Sequence, residues 1–264
     1  MSQSRIALKI AYIGTGYHGF QYQPGVETVE GELRRALKKL RLIRDAKIGM
    51  CCRTDSGVSA LSQVVAFDTA LPERALPRAI NSYLPGDVWV LASASAGAAF
   101  NPRIDALSRT YRYLLYDEGY DLKAMRGASK NFIGTHDFSN LSLVKNVSRT
   151  VEKVKLKKSA GFVVLDFTAK SFAQGMVRRM VSALCAVGLH QKSEEWLIRL
   201  LDAKCREGVE SAPADGLVLL DVRYKNLRWK KDEYAERRAR DKLKEQLSRM
   251  ATRARVIGEI LNDI

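Results

Sequence analysis

Residues 5–12 alternate with a period of two, placing Ile6, Leu8, Ile10 and Tyr12 on one face and Arg5 and Lys9 on the other. That is the pattern of a half-buried strand. Beyond a glycine-rich loop, GTGYHGFQYQPG, the period changes. Thr28 is suited to cap a helix, and Val29, Leu33, Ala36, Leu37 and Leu40 then recur at helical spacing. The same switch repeats down the chain. Residues 47–52 and 62–68 read as strands enclosing the polar turn CRTDSGVSAL, and 74–83 as a helix ended by Leu84-Pro85-Gly86.

SRTYRYLLY (108–116) reads as a strand opening a second half, and 150–157 with 161–168 as a hairpin around Ser159-Ala160-Gly161. Phe172, Met176, Met180, Ala183 and Val187 space a helix over 172–188, followed by a short helix at 193–203 and a strand at 216–224. Residues 230–255 are charged and rich in helix formers. The fold class expected is α+β. The domains expected are an N-terminal domain over 1–104, a C-terminal domain over 105–228 and a charged helical extension over 229–264.

Charge narrows the partner. The 264 residues hold 44 Lys and Arg against 29 Asp and Glu, a formal +15. Residues 228–264 contribute eleven basic and seven acidic residues, so the body carries the remaining +11. A basic body favours a polyanion, because phosphate contacts release condensed counterions. The opening MSQSRIALKIAYIG shows no signal-peptide pattern, and no window approaches the roughly twenty apolar residues of a membrane span. Cys51, Cys52, Cys185 and Cys205 lack CxxC spacing; as neighbours on a strand, Cys51 and Cys52 are expected to point to opposite faces and clamp no metal. Reduced thiols in an intracellular protein are the expectation.

Gly14-Thr-Gly16-Tyr-His-Gly19 fits the dinucleotide fingerprint, but that site needs a helix opening within the motif, and here Pro24 and Gly25 intervene. A loop bordering a cleft fits better. His18, His136 and His190 are too scattered to suggest a metal centre, and His136 suits a turn. No nucleophile elbow or P-loop is present. There remains Arg53-Thr54-Asp55-Ser56-Gly57-Val58, a carboxylate on a glycine-containing loop between two apolar strands. Taken alone it reads as a surface turn, since Asp and Gly favour turns for backbone reasons.

The stretches YIGTGYHGFQYQP, CCRTDSGVSALSQVVAF, INSYLPGDVWV, FNPRIDALSRTYRYLLY, GTHDFSNL, SFAQGMVRRMVSAL and GLVLLDVRY, in this order, resemble the TruA type of tRNA pseudouridine synthase. The likeness runs from about Ile6 to Tyr224. Asn101-Pro102 stands where the family commonly has His-Ala, and the tail beyond Arg228 exceeds the shorter bacterial pattern. The resemblance implies two similar halves with antiparallel-rich sheets around a central basic cleft. It further implies an isomerase acting on the anticodon stem-loop of tRNA, in the cytoplasm, as a homodimer, with no cofactor and no metal. It makes Asp55 the catalytic aspartate, Arg178 its pairing arginine and Tyr111 the residue that stacks on the target base. Arg53, close in sequence, is a second candidate partner for Asp55. Arg103 and Arg179 are candidate RNA contacts, and Tyr113 is expected to pack in the core. Two other readings remain open: a non-catalytic RNA-binding protein on the same scaffold, and an oxidoreductase binding NAD(P) at Gly14–Gly19.

Overall fold

The computed structural model describes residues 3–44, 47–202 and 204–263. In chain order its elements are β1 (Ser4–Tyr12), α1 (Val29–Lys39), β2 (Gly49–Met50), β3 (Ser59–Thr69), α2 (Pro77–Asn81), β4 (Val88–Ala96), β5 (Ser108–Tyr116), α3 (Leu122–Ser129), β6 (Gly134–Asp137), β7 (Ser148–Ser159), β8 (Phe162–Ala169), α4 (Met176–Gly188), α5 (Glu194–Arg199), β9 (Leu217–Arg223), β10 (Lys230–Lys231) and α6 (Glu233–Asp263). All ten strands belong to one sheet in the order β10-β4-β1-β3-β9-β5-β8-β7-β6, with β2 also on β3.

The two sheets expected from the sequence are therefore continuous. Within each half the pairing is antiparallel, and the halves join where β3 meets β9 in a short parallel pairing, Ser59 opposite Val218 and Ala60 opposite Leu219. The joint is the structural fact that matters most for function, because β3 begins directly after the Asp55 turn. Whatever flanks the start of β9 is thereby carried to Asp55.

The period-two reading of β1 holds for its core face, but the strand is not half-buried, since Ala7 and Ala11 are buried on the side of Arg5 and Lys9. Ile6, Leu8, Ile10 and Tyr12 enter the main core beneath α1, whereas Ala11 faces the opposite side and packs with Trp89 and Ala239 under the start of α6. Thr28 caps α1, its Oγ1 accepting from the Gly31 amide at 3.2 Å. In the second half, α4 buries Met176, Val177, Met180, Val181 and Leu184 against the sheet. It starts at Met176, four residues later than the spacing of Phe172 suggested; Gly175, at φ +71°, is its left-handed N-terminal boundary. The expected helix over 74–83 contracts to α2 and a preceding 3-10 turn, since Pro77 lacks the amide an earlier helical turn would use.

A candidate active site at the joint of two half-sheets

The Asp55 turn is built by its neighbours. The Val58 amide donates to the Asp55 carbonyl at 3.2 Å, closing a tight turn whose third position, Gly57, sits at φ +84°. Only glycine takes that conformation without strain. Thr54 Oγ1 and the Tyr12 hydroxyl lie 2.7 Å apart in the core, which anchors the turn to β1. Burial drives the Tyr12 phenol above its ordinary pKa, so it stays protonated and able to make this bond.

The glycine-rich loop turns out to be the other wall of this turn. The Phe20 amide donates to the Thr54 carbonyl at 3.2 Å, and the Gly57 amide and Ser56 hydroxyl both donate to the Tyr17 carbonyl at 3.3 and 3.1 Å. The approach is so close that a Cβ on Gly14 would lie 2.0 Å from the Val58 carbonyl oxygen, and one on Gly19 2.9 Å from the Thr54 oxygen. A Cβ on Gly16 would meet nothing within 4 Å. The first and last glycines of the apparent nucleotide fingerprint thus serve backbone contact with Asp55's own turn. No helix opens within it, since α1 begins only at Val29.

Arg178 reaches Asp55 from the other half. Its Nη1 lies 3.5 Å from Asp55 Oδ2, while its Nε donates to the Ala212 carbonyl at 2.6 Å and its own carbonyl accepts from the Ala212 amide at 3.2 Å. The guanidinium is thus aimed by the 212–215 loop. That loop is held by the Tyr113 hydroxyl, which donates to Pro213 O at 3.0 Å, and Ala214 packs against Gly57. Tyr113 accordingly packs and braces, as expected. The Asp55 and Arg178 side chains keep 24% and 20% of their exposure, so the pair is open to a ligand from one side.

Tyr111 lies on the same face of β5, buried, with its ring edge-on to Phe172 at 5.4 Å between centroids. The other candidates separate from this group. Arg53 is exposed and pairs with no carboxylate among the described residues, and Asp55 is paired by Arg178. Arg103 is exposed, its carbonyl taken by Arg109. Arg179 is half-buried and donates to the Ser142 carbonyl at 2.7 Å, which turns it away from solvent. His136 makes the turn contact expected of it, 3.0 Å from the Ile133 carbonyl.

Two features escaped the sequence reading. Arg109 is buried without a carboxylate partner among the described residues; it donates to the Lys170 carbonyl, to the Arg103 carbonyl at 2.7 Å and to the Cys51 carbonyl at 3.4 Å. It staples the segments preceding the Asp55 turn and Phe172. The alternation that puts Tyr111 and Tyr113 inward also puts Arg109 inward, and that was the missed signal. The cysteine expectation needs correcting. β2 ends at Met50, so strand alternation does not apply beyond it, and Cys51 and Cys52 bring their sulfurs within 3.4 Å. The hydrogen bond between them lowers the Cys52 thiol, helped by Arg109, and the same bond together with burial raises Cys51.

The structure thus brings a partly exposed carboxylate and an arginine together at the seam of the mixed sheet. Comparison with known proteins then fixes the family. A family model described as tRNA pseudouridine synthase matches residues 128–225. The tRNA pseudouridine synthase A of Methanosarcina mazei is 45% identical, the alignment covering 98% of both chains. That of Methanococcoides burtonii is 46% identical over 98% of this chain and 96% of its own, and that of Thermococcus onnurineus 42% over 97% and 98%. A solved pseudouridylate synthase aligns over 89% of this chain and 72% of its own at 10% identity and a TM-score of 0.36, too distant to inform the site. The chain belongs to the tRNA pseudouridine synthase A family.

Proposed function

We propose that the protein converts uridine to pseudouridine in the anticodon stem-loop of tRNA, with Asp55 as the catalytic carboxylate and no added cofactor. The observation that carries this reading is the Asp55–Arg178 contact of 3.5 Å across the joint between the two halves. The reaction breaks the bond from N1 of uracil to C1′, turns the base, and forms a bond from C5 to C1′; the proton lost from C5 is balanced by one gained at N1. Nothing is oxidised. A single carboxylate suffices as nucleophile or base, and its negative charge opposes the positive charge that develops near C1′.

The residues divide the work. Arg178, fixed through Ala212, orients the Asp55 carboxylate. Tyr111 stacks on the base once it has left its helix, a step that costs a few kcal/mol and is repaid by pocket and backbone contacts. A hollow of about 520 Å³ lined by Arg126, Lys130, Lys155 and Lys157, with Arg112 paired to Asp166 in its wall, supports contact with the RNA backbone by the second half. Exposed Arg53 and Arg103 are suited to phosphates, whereas Arg179 acts through the 142 carbonyl that it holds. In the same reading the protein is a cytoplasmic homodimer, and residues 1–104, 105–228 and 229–264 are its two sheet-bearing domains and its extension.

Position-by-position mapping of pseudouridine in tRNA incubated with purified protein, without cofactor, tests this directly. Conversion confined to the anticodon arm is the expected result. Binding of tRNA with no uridine converted would favour the non-catalytic reading.

A further inference from the structure

α6 leaves the body early. Ala235 and Ala239 are buried, the latter on Ala11 and Trp89, but beyond them the helix continues with its apolar residues uncovered. Leu243, Leu247, Met250, Ala254, Ile257 and Leu261 succeed one another at steps of four and three. That is the spacing of a coiled-coil seam, about 27 Å long at the helical rise. Leu247, Met250, Ile257 and Leu261 each keep 59% or more of their surface exposed. The ion pairs Arg249–Glu245, Lys242–Glu245 and Arg255–Glu259 lie off this stripe, as do exposed Val256 and Ile260. An isolated helix of this length has little reason to persist in water without a cover for such a stripe.

Charge selects the cover. Residues 237–244 hold five basic residues and one acidic, while 256–263 hold Glu259 and Asp263 and no basic residue. RNA would be repelled by the second of these. A parallel copy would set the basic ends together. An antiparallel copy sets each basic end against the other's acidic end, and also opposes the helix dipoles and keeps the two bodies apart.

We propose that α6 pairs with α6 of a second copy, antiparallel, through the stripe from Leu243 to Leu261. The proposal rests on the homodimer reading above and adds the surface that makes it. The contact is isologous, so one stripe serves both chains.

The test is the mass of the RNA-free protein by sedimentation equilibrium, for wild type, for L247E/I257E, and for T252E off the stripe. Wild type and T252E are expected to be dimers, and L247E/I257E to dissociate at concentrations at least about a hundredfold higher, since it buries two unpaired carboxylates per chain. Both altered residues are exposed in the single chain, so the fold of the body survives, as its near-ultraviolet spectrum would report. If L247E/I257E stays as tight a dimer as wild type, the α6 proposal is wrong while the homodimer stands. A monomeric wild type overturns both. Equal dissociation of T252E, or weakened tRNA binding by L247E/I257E with no change of mass, overturns the α6 pairing.

Discussion

The closest backbone approach at the site yields a sharp prediction. In Gly14→Ala the new methyl would start 2.0 Å from the Val58 carbonyl oxygen and 2.4 Å from its carbon. Ordinary contact needs more than 1 Å extra, and both atoms belong to backbone, so the Asp55 turn has to move by about that amount. Overpacking of this kind costs about 1–3 kcal/mol of stability, which the core of this chain can bear. Displacement of a catalytic group by ~1 Å costs about a hundredfold in rate. We therefore expect kcat/KM for pseudouridine formation to fall about a hundredfold in Gly14→Ala, while tRNA affinity measured by filter binding stays within a fewfold of wild type. Gly16→Ala, whose methyl meets nothing, is the control and should retain wild-type kinetics. If Gly14→Ala is as active as wild type, or if the two variants behave alike, the glycine loop does not set the position of Asp55.

Arg178→Ala is expected to lose activity by about a hundredfold with only a small change in thermal midpoint. A partly exposed ion pair contributes about 0–1 kcal/mol to folding, whereas loss of a fixed charge beside a reacting group has catalytic consequences of two to three decades; parallel calorimetry and single-turnover rates separate the two. Stability is expected to decline as pH rises above 10, because burial raises Tyr12 and Tyr111 above the ordinary phenol value of 10.0. The unfolded chain sheds those protons first, so each such tyrosine removes about 1.4 kcal/mol per pH unit until its native pKa is reached. Urea titrations at pH 9 and pH 11 measure the slope, and Tyr12→Phe should lessen it.

Much of this architecture was legible because burial writes periodicity into sequence. β1, α1, β5 and the β7–β8 hairpin were read within a few residues: in α1, β5 and the hairpin one face is buried and one solvated, and in β1 Arg5 and Lys9 mark the second face although Ala7 and Ala11 are buried on it. β4 and β6 were missed: Val88, Trp89 and Val90 are all buried, so no alternation marks them, and β6 is only four residues long. Asp55 could be singled out only by resemblance, since as a local string its turn looks like any polar turn. The roles of Arg109 and of Gly14 lay in contacts across 58 and 44 positions of sequence, from Arg109 to Cys51 and from Gly14 to Val58, which no local pattern encodes. The convergence of Cys51 and Cys52 depended on where β2 stops, and element ends are the least legible feature of any sequence.

One carboxylate, at position 55, is expected to do the chemistry. Asp55→Asn keeps the size of the side chain and removes its charge, so the turn and its hydrogen bonds should persist. Measured side by side with wild type on the same tRNA, the variant is predicted to bind with similar affinity and to form no detectable pseudouridine. Turnover by Asp55→Asn at a rate near that of wild type would mean that another group does the chemistry.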